Sequence, residues 1–311
     1  IHGPGCPVCV LPPGRVDEGL EIASKNSEVI FTAFGDVMRV PGKKGSPLNH
    51  KAMGTDVRMI YSPLDALNIA IKNPDKKVIL FAIGFETTAP STAITVLKAK
   101  ELDIDNFFVY SNHVKIIPVL KSILDQPNMR IDGFIGPGHA SVIIGAHPYE
   151  IIAKEYKKPV VISGFEPLDI LQSILMLIKQ LKSGESKVEI QYKRVVMEEG
   201  NVSALEIIDQ VFEDRPAFEW RGLGAIQNSA LKLKPEFAKW DAEVHFNVEK
   251  IHIEENKDAQ CGEILKGMLK PNQCKLFGKV CTPDNPVGAL MVSSEGACAT
   301  YYNHLYSTMS S

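Results

Sequence analysis

Cysteine is scarce in this sequence, no half of it is strongly basic, and no apolar stretch runs long enough to cross a bilayer. Each shortage removes a class of protein. Six cysteines among 311 residues are too few for a disulfide scaffold, and a chain of this length buries enough core to fold without one. The formal net charge is −3, which argues against nucleic acid or an anionic membrane as partner. The local pairs Lys43-Lys44 and Lys76-Lys77 read as solvated loops. The most apolar helical stretch, Leu168 to Leu181, is interrupted by Asp169, Gln172, Ser173 and Lys179 and falls short of the ~18 uninterrupted apolar residues of a span. No export or targeting segment is visible, so a cytoplasmic protein is expected.

What is present is ordinary globular composition, 45% hydrophobic and 23% charged, at a length that favours two or three domains. Short apolar runs alternate with helical patterns. The runs 28–36, 57–62, 77–85, 107–113, 131–136 and 159–165 are continuous rather than alternating, which predicts parallel strands buried on both faces. Ser62, Pro63 and Asp65 form a helix start. Leu168, Leu171, Ile174, Leu175, Ile178 and Leu181 recur at helical spacing, which predicts a helix packing on a sheet through them. The segment 191–201 reads as a strand and 202–213 as a helix. "HGPGCP" (2–7) is echoed by "IGPGHA" (135–140), and "FGD", "GFE" and "GFE" end three strands. The expected fold is therefore α/β, with two related parallel-sheet units at 1–105 and 106–184 and a C-terminal cysteine-bearing domain at 185–311.

Cys261, Cys274, Cys281 and Cys298 fall in a loop-rich segment full of Gly and Pro. Zinc sites usually draw on close Cys-x(2–4)-Cys pairs, and none of these gaps is that short. Separate loops suit a [4Fe–4S] cluster, with a zinc site or unliganded thiols as alternatives. Cys6 and Cys9 form a Cys-x-x-Cys behind a tight turn in which Gly3 and Gly5 permit close backbone approach. The pair reads as half a zinc knuckle, as a small disulfide loop or, fitting best, as a redox couple.

Other polar residues sit at strand ends. Glu86, Thr87 and Thr88 are either helix-capping groups or ligand-facing groups at the carboxyl end of a parallel sheet. His139 and Ser141 follow a Gly-rich strand end, and His113 closes another. His245 and His252 read as surface residues, and Trp220 and Arg221 as packing groups.

Taken together, "GPGCPVC" (3–9), "GFETTAP" (84–90), "GFIGPGHASVIIG" (133–145), "SGFEPLDIL" (163–171), "FEWRGLG" (218–224) and the cysteine segment 261–299 resemble the HypD family of [NiFe]-hydrogenase maturation factors. The likeness runs the length of the chain. It implies a [4Fe–4S] cluster on Cys261, Cys274, Cys281 and Cys298, making the C-terminal domain an iron–sulfur domain. It also implies a thiol–disulfide couple at Cys6 and Cys9 wired to that cluster. Glu86, Thr87, Thr88, His139 and Ser141 are implied to line the working cleft. The implied partners are a HypC-like chaperone and a HypE-like cyanide donor, around an iron ion that acquires cyanide and carbon monoxide. The resemblance thus implies a maturation scaffold with redox activity. A stand-alone iron–sulfur thiol–disulfide oxidoreductase and a zinc-stabilised binding module are the rival readings.

Two departures stand out. The family's Cys-Gly-Thr-His motif, whose cysteine is the implied iron ligand, does not occur in this chain; if the chain is a fragment, that cysteine lies outside it, and the chain is expected to hold the cluster but not to complete assembly. The family's Pro-x-His-Val-Ser reads here as Pro137-Gly138-His139-Ala140-Ser141, which keeps His139 and Ser141.

Overall fold

A computed structural model describes residues 6–127, 129–251, 253, 256 and 258–307. Gly3, Gly5, His252 and most of the 2–7 echo lie outside the described residues. Four parallel strands, β1 (Val29–Phe34), β2 (Val57–Ile60), β3 (Lys77–Gly84) and β4 (Phe107–His113), form a sheet in the order β2-β1-β3-β4. Phe31, Ala33, Ile79, Phe81 and Ile83 enter one core, while Ile30, Val78, Leu80 and Ala82 enter the other. Both faces are apolar, which is why the strands read as unbroken runs. The helix Pro63–Lys72 begins as its residues predict. Leu64 N donates to the Ser62 hydroxyl at 3.3 Å, and Ser62 N donates to Asp65 at 2.9 Å.

A second parallel sheet, β5 (Phe134–Pro137), β6 (Val160–Ser163) and β7 (Val188–Ile190), has the order β5-β6-β7, and β8 (Phe212–Trp220) with β9 (Gly224–Leu233) forms an antiparallel hairpin. The expected architecture of α/β units with parallel sheets is thus present. Among the described residues no helix is long and apolar enough to cross a membrane.

Three details differ from expectation. The first sheet extends past residue 105, because β4 pairs with β3 along its whole length from Phe107 to His113. Likewise β7, beyond residue 184, joins the second sheet, and the hairpin packs on the first through Ser111 Oγ donating to Leu231 O at 2.9 Å. The segment 191–201 is turn rather than strand. Arg194 reaches back to Asp169 there, and Gly145 and Gly200 abut so closely that a Cβ on Gly200 would lie 2.5 Å from Gly145 N.

The helix Pro167–Ser183 packs on the second sheet the other way round. Leu168, Leu171, Leu175, Ile178 and Leu181 face outward, while Asp169, Ser173 and Gln180 are buried. The inward polar groups are satisfied: Asp169 by Gln191 and Arg194, Ser173 by the Asp169 carbonyl, Gln180 by Lys187 N and Glu189. This side-chain pairing with the neighbouring strand end decides the helix's rotation over its apolar stripe.

The residues after 260 have little regular structure. A short helix (Cys261–Leu265), a 3-10 turn (Ala289–Met291) and a terminal helix (Ala297–Ser307) surround a small core in which Cys261, Cys281 and Cys298 sit with Ile264, Leu265, Leu290 and Met291.

Candidate functional site

The first described residues form a single helical turn, Pro7–Val10, and Cys6 is its N-cap: Cys9 N donates to Cys6 Sγ at 3.3 Å. The two sulfurs are hydrogen-bonded at 2.8 Å, and both cysteines are buried. The hydrogen bond from Cys9 draws the Cys6 thiol down to about 7, with help from the Ser293 side chain and against burial, whereas the same bond and burial push Cys9 up. Cys6, as acceptor of both the Cys9 thiol and the Cys9 N–H, is the better placed of the two to carry negative charge.

Ser293 belongs to the cysteine-rich segment, so the two ends of the chain meet at the dithiol. The Pro7–Val10 turn packs against β3 and against the 3-10 turn Ala289–Met291.

The four distal thiols converge on one cavity. Cys261 opens its short helix, Cys274 ends the turn Pro271–Gln273, Cys281 bridges to Phe277 and Cys298 lies in the first turn of the terminal helix. The rest of the lining is Ala259, Ile264, Leu276, Phe277, Gly288 and Met291. Gly288 N donates to Cys281 Sγ at 3.4 Å. A Cβ on Gly288 would stand 2.7 Å from Cys261 Sγ, so the glycine leaves the thiol its space.

Burial raises the Cys261 and Cys298 thiols, and the charges of neighbouring cysteines raise them further. Such a cage is costly as bare thiolates and suits a cationic metal centre. Among the described residues, the group with all ligand atoms within 4.8 Å of one another is the exposed trio His147, Glu198 and Glu199; the cage thiols are spread wider. Four thiols are the donor set of a structural zinc or of an iron–sulfur centre.

The remaining candidates divide into separate groups. Thr88 turns inward: its hydroxyl bonds the Ile83 and Phe85 carbonyls and lies 3.3 Å from His113 Nδ1, while His113 Nε2 lies 2.9 Å from Thr92. Gly84, at φ +147°, makes room for it, since a Cβ there would meet the Thr88 hydroxyl at 1.9 Å. Thr87 is exposed. His139 is exposed and stacked on Phe165 with ring centroids 3.9 Å apart. Ser141 is buried, donating to Pro137 O at 2.8 Å and to Tyr149 OH at 3.1 Å. His245 is exposed against Phe108, and Trp220 is buried with its indole N–H donating to Ser229.

Glu86 accepts a hydrogen bond from Ile116 N at 2.9 Å, capping the helix Ile116–Leu124 rather than the one that directly follows it, and its second oxygen has no partner among the described residues. It borders a cavity of about 1400 Å³ with Lys115, His147 and Phe212. Its charge also raises Tyr149, behind the larger effect of that residue's burial.

Burial pushes the Glu86 carboxyl from 4.5 up to about 7. A raised acid is favoured neutral in the fold, so its contribution is full below pH 4.5 and lost as pH rises towards 7. Burial also draws His113 from 6.5 down to about 4, so that contribution is lost as pH falls over the same range and masks the first. Against the unaltered chain, Glu86→Gln should show no gain below pH 4.5, a gain that grows as pH rises towards 7, and a full gain of about 3 kcal/mol that persists above it. Urea titrations at several pH values check this; a pH-independent difference contradicts it.

The residues that sequence reasoning missed are Arg15, Glu18, Tyr110 and Glu243, which form a largely buried polar network on and around the helix Pro13–Lys25, together with Tyr149 and Ser293. The spacing of Arg15 and Glu18 in the first turns of a helix that starts at Pro13 was the available signal.

The chain matches the family profile HypD, hydrogenase formation hypA family, over residues 1–305. It is similar to the hydrogenase maturation factor HypD of Rhodobacter capsulatus, 52% identical with 98% of this chain and 81% of that protein covered. The hydrogenase maturation factor HypD of Escherichia coli (strain K12) is 52% identical at the same coverage, and that of Cupriavidus necator is 50% identical, with 98% of this chain and 82% of that protein covered. Carrying this likeness through both parallel sheets and the cysteine cage, the chain belongs to the HypD family of hydrogenase maturation factors.

Proposed function

We propose that the chain acts in hydrogenase maturation as a scaffold and redox relay. Cys261, Cys274, Cys281 and Cys298 hold a [4Fe–4S] cluster, and Cys6 with Cys9 form the thiol–disulfide couple that exchanges electrons with it. The substrate is an iron ion acquiring cyanide and carbon monoxide, brought together by a HypC-like chaperone and a HypE-like cyanide donor. When bound, the cluster supplies one-electron storage beside a two-electron dithiol. The chain's own part is to bury both, exclude water and keep Cys6 close to its thiolate form. Glu86, with its free oxygen on the large cavity, is read as a proton-holding group, while His139 and Ser141 shape the neighbouring strand end.

The observation that carries this reading is the meeting of the dithiol turn with the cysteine-bearing segment at Ser293 and the Ala289–Met291 turn. Anaerobic purification with iron and sulfide analysis and EPR tests it. The expected result is a cluster signal in the unaltered chain, its loss in Cys261→Ala, and its retention in Cys6→Ala with loss of dithiol oxidation. A colourless chain containing only zinc, or undiminished cofactor maturation by Cys6→Ala and Cys9→Ala, would sink the proposal.

A further inference from the structure

Between the dithiol turn and the cage stands one buried cation. Arg221 follows Trp220 at the end of β8 and is 7% exposed. Its backbone N–H donates to Val10 O at 2.8 Å, taking up a carbonyl at the end of the dithiol turn. Its guanidinium donates to Val287 O at 3.0 Å, immediately before the Gly288 that gives Cys261 its space. The next residue, Gly222, lies against Cys261, whose Cβ would be 3.3 Å from a Cβ on that glycine.

The apolar residues lining the cage bring no charge of their own, whereas Arg221 borders a neighbouring cavity together with Cys261, Val287 and Gly288. Four thiolates gathered in an apolar cavity leave a negative centre in need of positive charge from outside the lining.

We infer that Arg221 is a positioning residue of the cysteine cage: its guanidinium fixes the Val287–Gly288 strap and offsets thiolate charge, raising the potential of the centre the cage holds. The inference rests on the cluster reading above. A fixed cation stabilises the reduced, more negative state more than the oxidised one, so its removal lowers the midpoint potential.

The test uses the full chain, reconstituted anaerobically with iron and sulfide, as Arg221→Met and Arg221→Lys. Iron and sulfide content are measured, together with the midpoint potential by EPR-monitored redox titration. Arg221→Met is expected to keep its iron and sulfide and to shift the equilibrium at least tenfold towards the oxidised form, about 59 mV for one electron. Arg221→Lys, which keeps the charge, is expected to recover most of that shift. An unchanged potential in a fully loaded Arg221→Met overturns the inference. So does loss of the centre from both variants, which would mark Arg221 as structural support alone. If the unaltered chain takes up no iron and sulfide, the cluster reading itself fails, and that result is distinct from the other two.

Discussion

Replacing Arg15 with Met is expected to cost about 3–5 kcal/mol of folding stability, the cost of leaving buried carboxylates without their cation. Arg15 lies on the helix Pro13–Lys25, which begins two residues after the dithiol turn. Its guanidinium donates to Asn112 at 2.7 Å and to the Ser111 carbonyl at 2.9 Å, pairs with Glu18 at 3.2 Å and with Glu243, and lies over the Tyr110 ring at 4.1 Å. Arg215 joins Glu243 from the hairpin at 2.6 Å, so two cations balance two carboxylates. Removing Arg15 unbalances the set where water cannot enter. Restoring neutrality should rescue it: in Glu18→Gln the amide oxygen still accepts from Ile251 N and the amide NH2 donates to the Tyr110 hydroxyl, so the double variant should recover much of the loss. Urea denaturation of the four proteins of this cycle gives the coupling energy. Simple additivity of the two single changes would show that the charges do not act as a unit.

That network explains where sequence reasoning stopped. Strands β1, β3 and β4 were legible because both of their faces are buried and largely apolar, whereas β7, three half-buried residues, was not. That the four distal cysteines come together was legible because thiols grouped in a loop-rich segment suggest one shared site, and they line one cavity. The rotation of the helix Pro167–Ser183 was not. Its leucines announce a packing face, yet Asp169 and Gln180 turn inward because Gln191 and Arg194, in the turn after β7, and Lys187, just before it, supply their partners. Hydrogen-bond satisfaction across elements leaves no periodic trace. Glu86 shows the same limit: its position at a sheet's carboxyl end was readable, but its pairing with Ile116 N, 30 residues on, is a tertiary fact. Thr88, open on sequence to a helix-capping or a ligand-facing role, bonds back to its own strand end and lies against His113.

On the proposed cluster reading, Gly288→Ala is expected to strip the cage of iron and sulfide while leaving both parallel sheets folded. The backbone at Gly288 has φ −93° and ψ 149°, extended values open to any residue, so the substitution introduces no conformational strain. What it introduces is a methyl 2.7 Å from Cys261 Sγ and 3.8 Å from Cys281 Sγ. Cys261 has no easy retreat, since Gly222 closes on its other side and Ile264 is fully buried beneath the short helix it opens. One ligand of the set must therefore leave its position, and a centre that needs all four thiolates loses its hold. The consequence reaches the fold of the segment, because Cys261, Cys281 and Cys298 are themselves part of its small core. Where bound metal supplies folding free energy, its loss loosens the chain around it. Iron and sulfide analysis should fall by most of their value, limited proteolysis should cut first between residues 275 and 287, and circular dichroism should keep the signal of the sheets. Full retention of iron and sulfide in Gly288→Ala would mean that the thiols can reposition around the methyl, and that the cage is adaptable rather than built to one shape.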